Sequence, residues 1–323
     1  LHTILSAALR SRLVHRIQKA LHTEKLQQDG KSQTLPLKQT RQGKQKQLEY
    51  VSAVALRYAQ PLQKPALQLA KDLMEKLSKP LEKLDATLQG TLSDATLDDL
   101  QKHFNLEVAP PGWVFFRLAD PGLAIWLQCL VDYPLPVAED TSTTLLESRS
   151  LIPMAASARN STSVFPILHT YARCHSVLRL GQQLGLIQAI ASCSPSAIVK
   201  PDASFCGWQI QAPKPFPWLL PTGGFRGSQP AEWQLVEQIC ATLDQRAELD
   251  AQFNPISDIK ETLKQADRLS QSWQLFYAAC RIADEVGQND PAQAQLRLGL
   301  TWITQKLLHE LLRSIELPTP LFL

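Results

Sequence analysis

The stretch Ile167-Leu168-His169-Thr170-Tyr171-Ala172-Arg173-Cys174-His175-Ser176-Val177-Leu178-Arg179 decides how the second half of this chain folds. Leu168, Ala172, Val177 and Leu178 recur at helical spacing and predict one buried stripe. Tyr171, Arg173, His175 and Arg179 are interleaved with that stripe and face outward or toward a partner helix. Beyond Ala231 the same period returns. Leu235, Ile239 and Leu243 form one apolar stripe, and Ile259, Leu263 and Ala266 form the next. A helical bundle is therefore expected over 161–323.

Between the helices lies a Pro- and Gly-rich insertion at 192–230, with Trp208, Phe216 and Trp218 among Lys200, Lys214 and Arg226. Long irregular insertions in compact domains tend to be functional or disordered. Exposed aromatics are expected here, suited to a protein partner or an RNA strand. Within it, Thr222-Gly-Gly-Phe-Arg-Gly227 lacks the Lys-Ser/Thr ending of a phosphate-binding loop and reads as a turn.

The first half is organised differently. Leu5, Leu9, Leu13, Ile17 and Leu21 step by four, with Arg10, Arg12, Arg16 and Lys19 on the other faces, which predicts an amphipathic helix. From 28 to 47 the period disappears. Lys31, Lys38, Arg41, Lys44 and Lys46 follow with no acid between Gly30 and Leu48, which reads as a flexible basic loop, either a solvated insertion or a phosphate-contacting one. Helices are expected to begin at Glu49 and at Pro65, the latter because proline suits a first helical turn. Trp113-Val-Phe-Phe-Arg-Leu118 is a strand by its aromatic and branched residues, with Val114, Phe116 and Leu118 on one face and Trp113, Phe115 and Arg117 on the other. That second face is either a platform for an unstacked base or a surface covered by a helix.

Hydrophobic residues make up 44% of the chain and charged ones 20%, the balance of a soluble globular protein with room for two cores. The longest apolar run, Leu123 to Val131, is far too short to span a bilayer, and no signal peptide is legible, so a cytoplasmic location is expected. The six cysteines never approach Cys-x-x-Cys spacing and read as reduced thiols. His169, Cys174 and His175 lack a fourth ligand, and helix packing accounts for them better than a metal does. No cofactor or metal is expected. Basic residues outnumber acidic ones 10 to 3 in the first fifty positions, whereas the part after Trp126 holds 15 basic and 18 acidic residues. An anionic partner is thus expected on the N-terminal side.

Several of these segments resemble arginyl-tRNA synthetases. Ala172, Arg173, Ser176, Leu178 and Arg179 fall in step with the Tyr-Ala-x-Ala-Arg-x-x-Ser-Ile-Leu-Arg helix that opens the family's DALR-type anticodon-binding domain. Trp273 to Ile282 is similar to its Phe-x-x-Phe-Tyr-x-x-Cys-Arg-Val helix, and Gln295 to Leu308 to its last long helix. Ser52 to Ala59, Lys64 to Ala70 and Pro111 to Leu118 are similar to the family's N-terminal accessory domain, which meets the elbow of tRNA around the D-loop. Neither His-x-Gly-His nor Lys-Met-Ser-Lys-Ser occurs, and the gap between the two resembling regions is too short for a nucleotide-binding catalytic domain.

The resemblance implies a mainly α chain with three parts. A small α+β domain would occupy 1–130, a linker 131–160 would replace the catalytic domain, and a DALR-type helical bundle would occupy 161–323. It implies a paralogue that does not aminoacylate and that binds tRNA or another structured RNA. Arg10, Arg12, Lys38, Arg41, Lys44 and Lys46 would hold the phosphate backbone, Trp113 and Arg117 would touch a base, and Tyr171, Arg173 and Tyr277 would line the old anticodon surface. For Arg173 and Tyr277 the competing reading is a hydrogen bond that fixes two helices together. The alternative function is a protein-interaction or assembly factor that kept the fold and dropped RNA, with a partner docking through 192–230.

Overall fold

The structure is a computed structural model that describes residues 7–22, 35–40, 46–78, 100–133, 164–191, 208–252, 255–282, 289–317 and 319. It is mainly helical with a small antiparallel sheet, and it divides into two compact units. One comprises residues up to Cys129 together with Pro221–Phe225; the other comprises 130–220 and 226–323. Among the described residues no helix is long and apolar enough to cross a membrane. Arg41, Lys44 and positions 134–160 of the linker expected at 131–160 lie outside the described residues.

The first unit is a four-stranded sheet with helices on one face. Its elements are α1 (Leu9–His22), β1 (Leu37–Thr40), β2 (Glu49–Ser52), α2 (Val54–Ala59), α3 (Ala66–Ser78), β3 (Phe104–Ala109) and β4 (Trp113–Leu118). All strand pairs are antiparallel, in the order β1-β2-β4-β3. The step-of-four pattern of α1 buries Leu9, Leu13, Ile17 and Leu21. Leu69, Leu73 and Leu77 of α3 are buried as well, and β4 contributes Val114, Phe116 and Leu118, as its period of two requires. Gly112, in the turn between β3 and β4, has φ +155, and a Cβ there would lie 3.0 Å from the Ala66 backbone.

Two expectations are corrected in this unit. Glu49 opens a strand, not a helix, because 49–52 pairs with β4 on one side and β1 on the other. Ser52 ends that strand: its Oγ donates to Pro36 O (3.0 Å) and accepts from Val54 N (3.3 Å), at the start of α2. The expected basic loop at 28–47 is also broken by structure, since Leu37–Thr40 is strand β1.

α4 (Asp120–Asp132), built on the apolar run at Leu123–Val131, starts in the first unit and ends in the second, so its last two residues fall within the expected linker 131–160. The second unit holds α5 (Phe165–Gln183), a hairpin of β5 (Gln188–Ala191) and β6 (Trp208–Ala212), α6 (Pro230–Gln252), α7 (Pro255–Ala279) and α8 (Pro291–Ser314). α8 packs on α5, α6 and α7, and most of its length is buried. Asp290 caps it, its Oδ1 accepting from Gln293 N at 3.0 Å, with Pro291 following at the first helical position. A helix buried on all sides needs close approach somewhere. A Cβ on Gly181 of α5 would sit 2.7 Å from Leu298, and one on Gly299 would sit 2.5 Å from Trp218.

That last contact corrects the reading of the 192–230 insertion. Phe216 and Trp218 stack at 5.4 Å and are each only 2% exposed, lying on α8 at Gly299. They are core residues, not docking aromatics.

Candidate functional site

Two surfaces carry the residues read from sequence as functional, one in each unit. In the first, Trp113, Phe115 and Arg117 do share the face of the sheet opposite the core, and Trp113 is 37% exposed. The cross-strand register adds neighbours that lie far away in sequence. Val51 and Glu107 flank Phe115, and Glu49 and Asn105 flank Arg117. Arg117 Nε donates to Glu49 Oε2 at 2.5 Å and its Nη1 donates to Glu107, while its guanidinium lies 5.7 Å from the Phe115 ring centre. Glu49 is buried and its Oε1 also accepts from Thr40 Oγ1 at 2.9 Å. The hydrogen bond to Glu49, then that to Glu107, raise the Arg117 pKa. This arginine is thus charge-compensated twice over. The face retains its aromatic surface but offers no free cation to a phosphate at Arg117.

Two basic residues of α1 reach back to the fold. Arg10 Nε donates to Leu37 O at 3.0 Å, tying α1 to β1, and Arg16 donates to Leu77 O at the end of α3. Burial lowers the Arg16 pKa. Arg10 therefore ties two elements together while its charge stays in place, and Arg12 is half-buried. Lys38 on β1 and Lys46 before β2 are exposed.

In the second unit Tyr171 is corrected. It is fully buried, its hydroxyl is 3.2 Å from His309 Nδ1 on α8, and the two rings stack at 6.1 Å. It joins α5 to α8 and reads nothing outside. His175 is buried too, and burial, then Arg179, lower its pKa. Arg173 does emerge. Its Nη2 donates to the Tyr277 hydroxyl oxygen, Oη, at 3.1 Å and its guanidinium stands 5.3 Å from the Tyr277 ring centre. Tyr277 in turn stacks on Trp273, nearly parallel, at 5.0 Å. One turn earlier, Gln274 Nε2 donates to Thr170 Oγ1 at 2.8 Å. The competing sequence reading, an interhelical bond between α5 and α7, is therefore realised, and it leaves the guanidinium at the surface.

Around Arg173 the exposed side of α5 runs Phe165, His169, Arg173, Ser176 and Leu180, at helical spacing. Phe165 is 64% exposed and stacks on His169 at 6.2 Å. Arg179 is exposed beside this line, and no Asp or Glu occurs anywhere in α5. Leu275 on α7 is 62% exposed. Phe165 and Leu275 were not singled out from sequence. The missing carboxylates of α5 were a legible signal, since a surface helix normally carries both signs of charge.

Among the described residues no three His, Cys, Asp or Glu side chains come together as a metal site. The described cysteines 129, 174, 240 and 280 are buried thiols; burial drives the pKa of Cys174 well up and, with Glu232 adding to it, that of Cys280 to about 11. No family model, curated protein or solved structure matches the chain.

Proposed function

We propose that this chain is a non-catalytic RNA-binding protein related to arginyl-tRNA synthetase, and that it takes tRNA or another structured RNA on the exposed side of α5 and α7. The observation that carries the reading is Arg173. The group it touches is a neutral phenol, which leaves its charge uncancelled, and it sits on a helix without a single carboxylate between Phe165 and Gln183. The exposed stack of Phe165 on His169, with the half-buried Tyr277 ring on the other side, supports contact with unpaired bases next to the backbone. Of the other cations read from sequence as RNA contacts, Lys38 and Lys46 are exposed as well; Arg117 fits stacking only. The reading is of a cytoplasmic protein without cofactor.

Arg173→Gln tests it in a gel-shift titration with tRNA at several salt concentrations. A lost phosphate contact weakens binding and reduces the slope of log affinity against log salt by about 0.7–0.9. A purely structural Arg173 would leave that slope unchanged, and an unchanged slope with unchanged affinity would remove α5 from the interface. Arg117→Gln, whose charge is already compensated, is expected to leave the slope as it is.

A second reading, a protein-docking face, draws on the exposure of Phe165 and Leu275 at 64% and 62%. Its partners would co-purify equally well after RNase treatment.

A further inference from the structure

The last turn of α4 is built around a cation. A helix end leaves its final carbonyls without intrahelical partners, and burying them unpaired is costly. Here three carbonyl oxygens, those of Leu130, Val131 and Tyr133, converge on Lys306 Nζ of α8, the first two at 2.9 and 3.0 Å. A primary ammonium has three N–H donors and no acceptor, so donors and acceptors match one to one. The Tyr133 and Trp302 rings each stand 5.9 Å from the same nitrogen, within range of cation–π attraction. Trp302 Nε1 also donates to Val131 O at 3.4 Å, which fixes that carbonyl. Asp132 and Glu310 are the acidic groups whose charge favours the ammonium, and Asp132 is shared with Lys214 at 3.2 Å. Lys306 is 2% exposed, and burial pushes its pKa down to about 7 against the pull of those two acids; the carbonyl oxygens add to that pull.

We propose that the carbonyls of Leu130, Val131 and Tyr133 with the rings of Tyr133 and Trp302 form a receptor for a primary ammonium, filled by the chain's own Lys306. The site recognises R–NH₃⁺ as such, and the rest of the lysine is a tether. Removing the tether therefore leaves a site for a free alkylammonium. In Lys306→Ala the missing atoms, Cγ to Nζ, correspond to n-propylammonium.

The test is thermal unfolding of Lys306→Ala across a series of added ions. The variant is expected to melt several degrees below the parent and to recover most of the loss, saturably, with n-propylammonium. Tetramethylammonium has no N–H and n-propanol no charge, so neither is expected to restore it. Equal recovery by all three, or none by n-propylammonium, would overturn the proposal. If the variant does not fold alone, its refolding yield with and without each compound is the readout. Lys306→Met, which fills the volume without the charge, provides a second arm. It is expected to melt below the parent and not to respond to n-propylammonium, and a Lys306→Met protein as stable as the parent would equally sink the idea.

Discussion

His309 shows how much a single buried ring can set. Burial, helped by Arg313, lowers its pKa to about 4 from the ordinary 6.5. Between those values the unfolded chain binds a proton that the folded chain refuses, so stability falls as pH drops through this window and levels off below about 4. The loss has an upper bound of about 3 kcal/mol for this group. Denaturant midpoints measured at pH 7 and pH 5 are expected to differ less in His309→Gln than in the parent, and an identical pH response would show that other groups carry the acid sensitivity. His175, shifted down by its own burial, adds in the same direction. The partner of His309, Tyr171, lay on the legible helix, but the side of the helix it would take was not legible. A tyrosine suits a wet interface and a dry one equally, and only the packing of α8, 138 positions along the chain, decided it. Arg117 was misjudged for the same reason, because its two glutamates come from neighbouring strands through a register that no local pattern contains.

α6, α7 and α8 are joined by a buried ion pair. Glu232, at the start of α6, is wholly inaccessible; its Oε1 accepts from Arg297 Nε at 2.7 Å and from Gln293 Nε2 at 2.8 Å, and its Oε2 accepts from Gln229 N at 2.9 Å. Arg297 spends a further donor on Arg281 O just past α7. Glu232→Gln leaves a buried guanidinium without its counter-charge, and a loss of about 3–5 kcal/mol in chemical denaturation is expected. Replacing both residues by Met should cost less than Glu232→Gln alone, and a double variant less stable than that single one would contradict this account. Periodicity made the long helices and β4 readable. It failed for β1, β2 and the β5–β6 hairpin, whose four- and five-residue strands are too short to establish a period. Composition failed at 213–219 for another reason: proline and glycine announce irregular backbone, which says nothing about exposure, and here the irregular segment carries two core aromatics.

Taken whole, the chain has two cores and two candidate surfaces of unlike chemistry. The sheet face is aromatic with its arginine compensated, whereas the α5 side is aromatic with its arginine uncompensated. The residues themselves offered both as equals. Geometry separates them, and it moves the weight of the RNA reading toward α5. In the first fifty residues Arg10 and Arg16 also serve the fold, each donating to a backbone carbonyl that leaves its positive charge in place.

Among the six tryptophans whose burial is described, interior and rim are unevenly shared. Trp126, Trp218, Trp233, Trp273 and Trp302 are all 6% exposed or less, whereas Trp113 stands open at 37%. The protein therefore carries its own optical reporter on the sheet. Iodide should quench a fraction of the fluorescence that shrinks in Trp113→Phe. If tRNA shields the part of the quenching that depends on Trp113, the sheet takes part in binding; if that part persists at saturating tRNA, the light from Trp113 marks a face that RNA leaves uncovered.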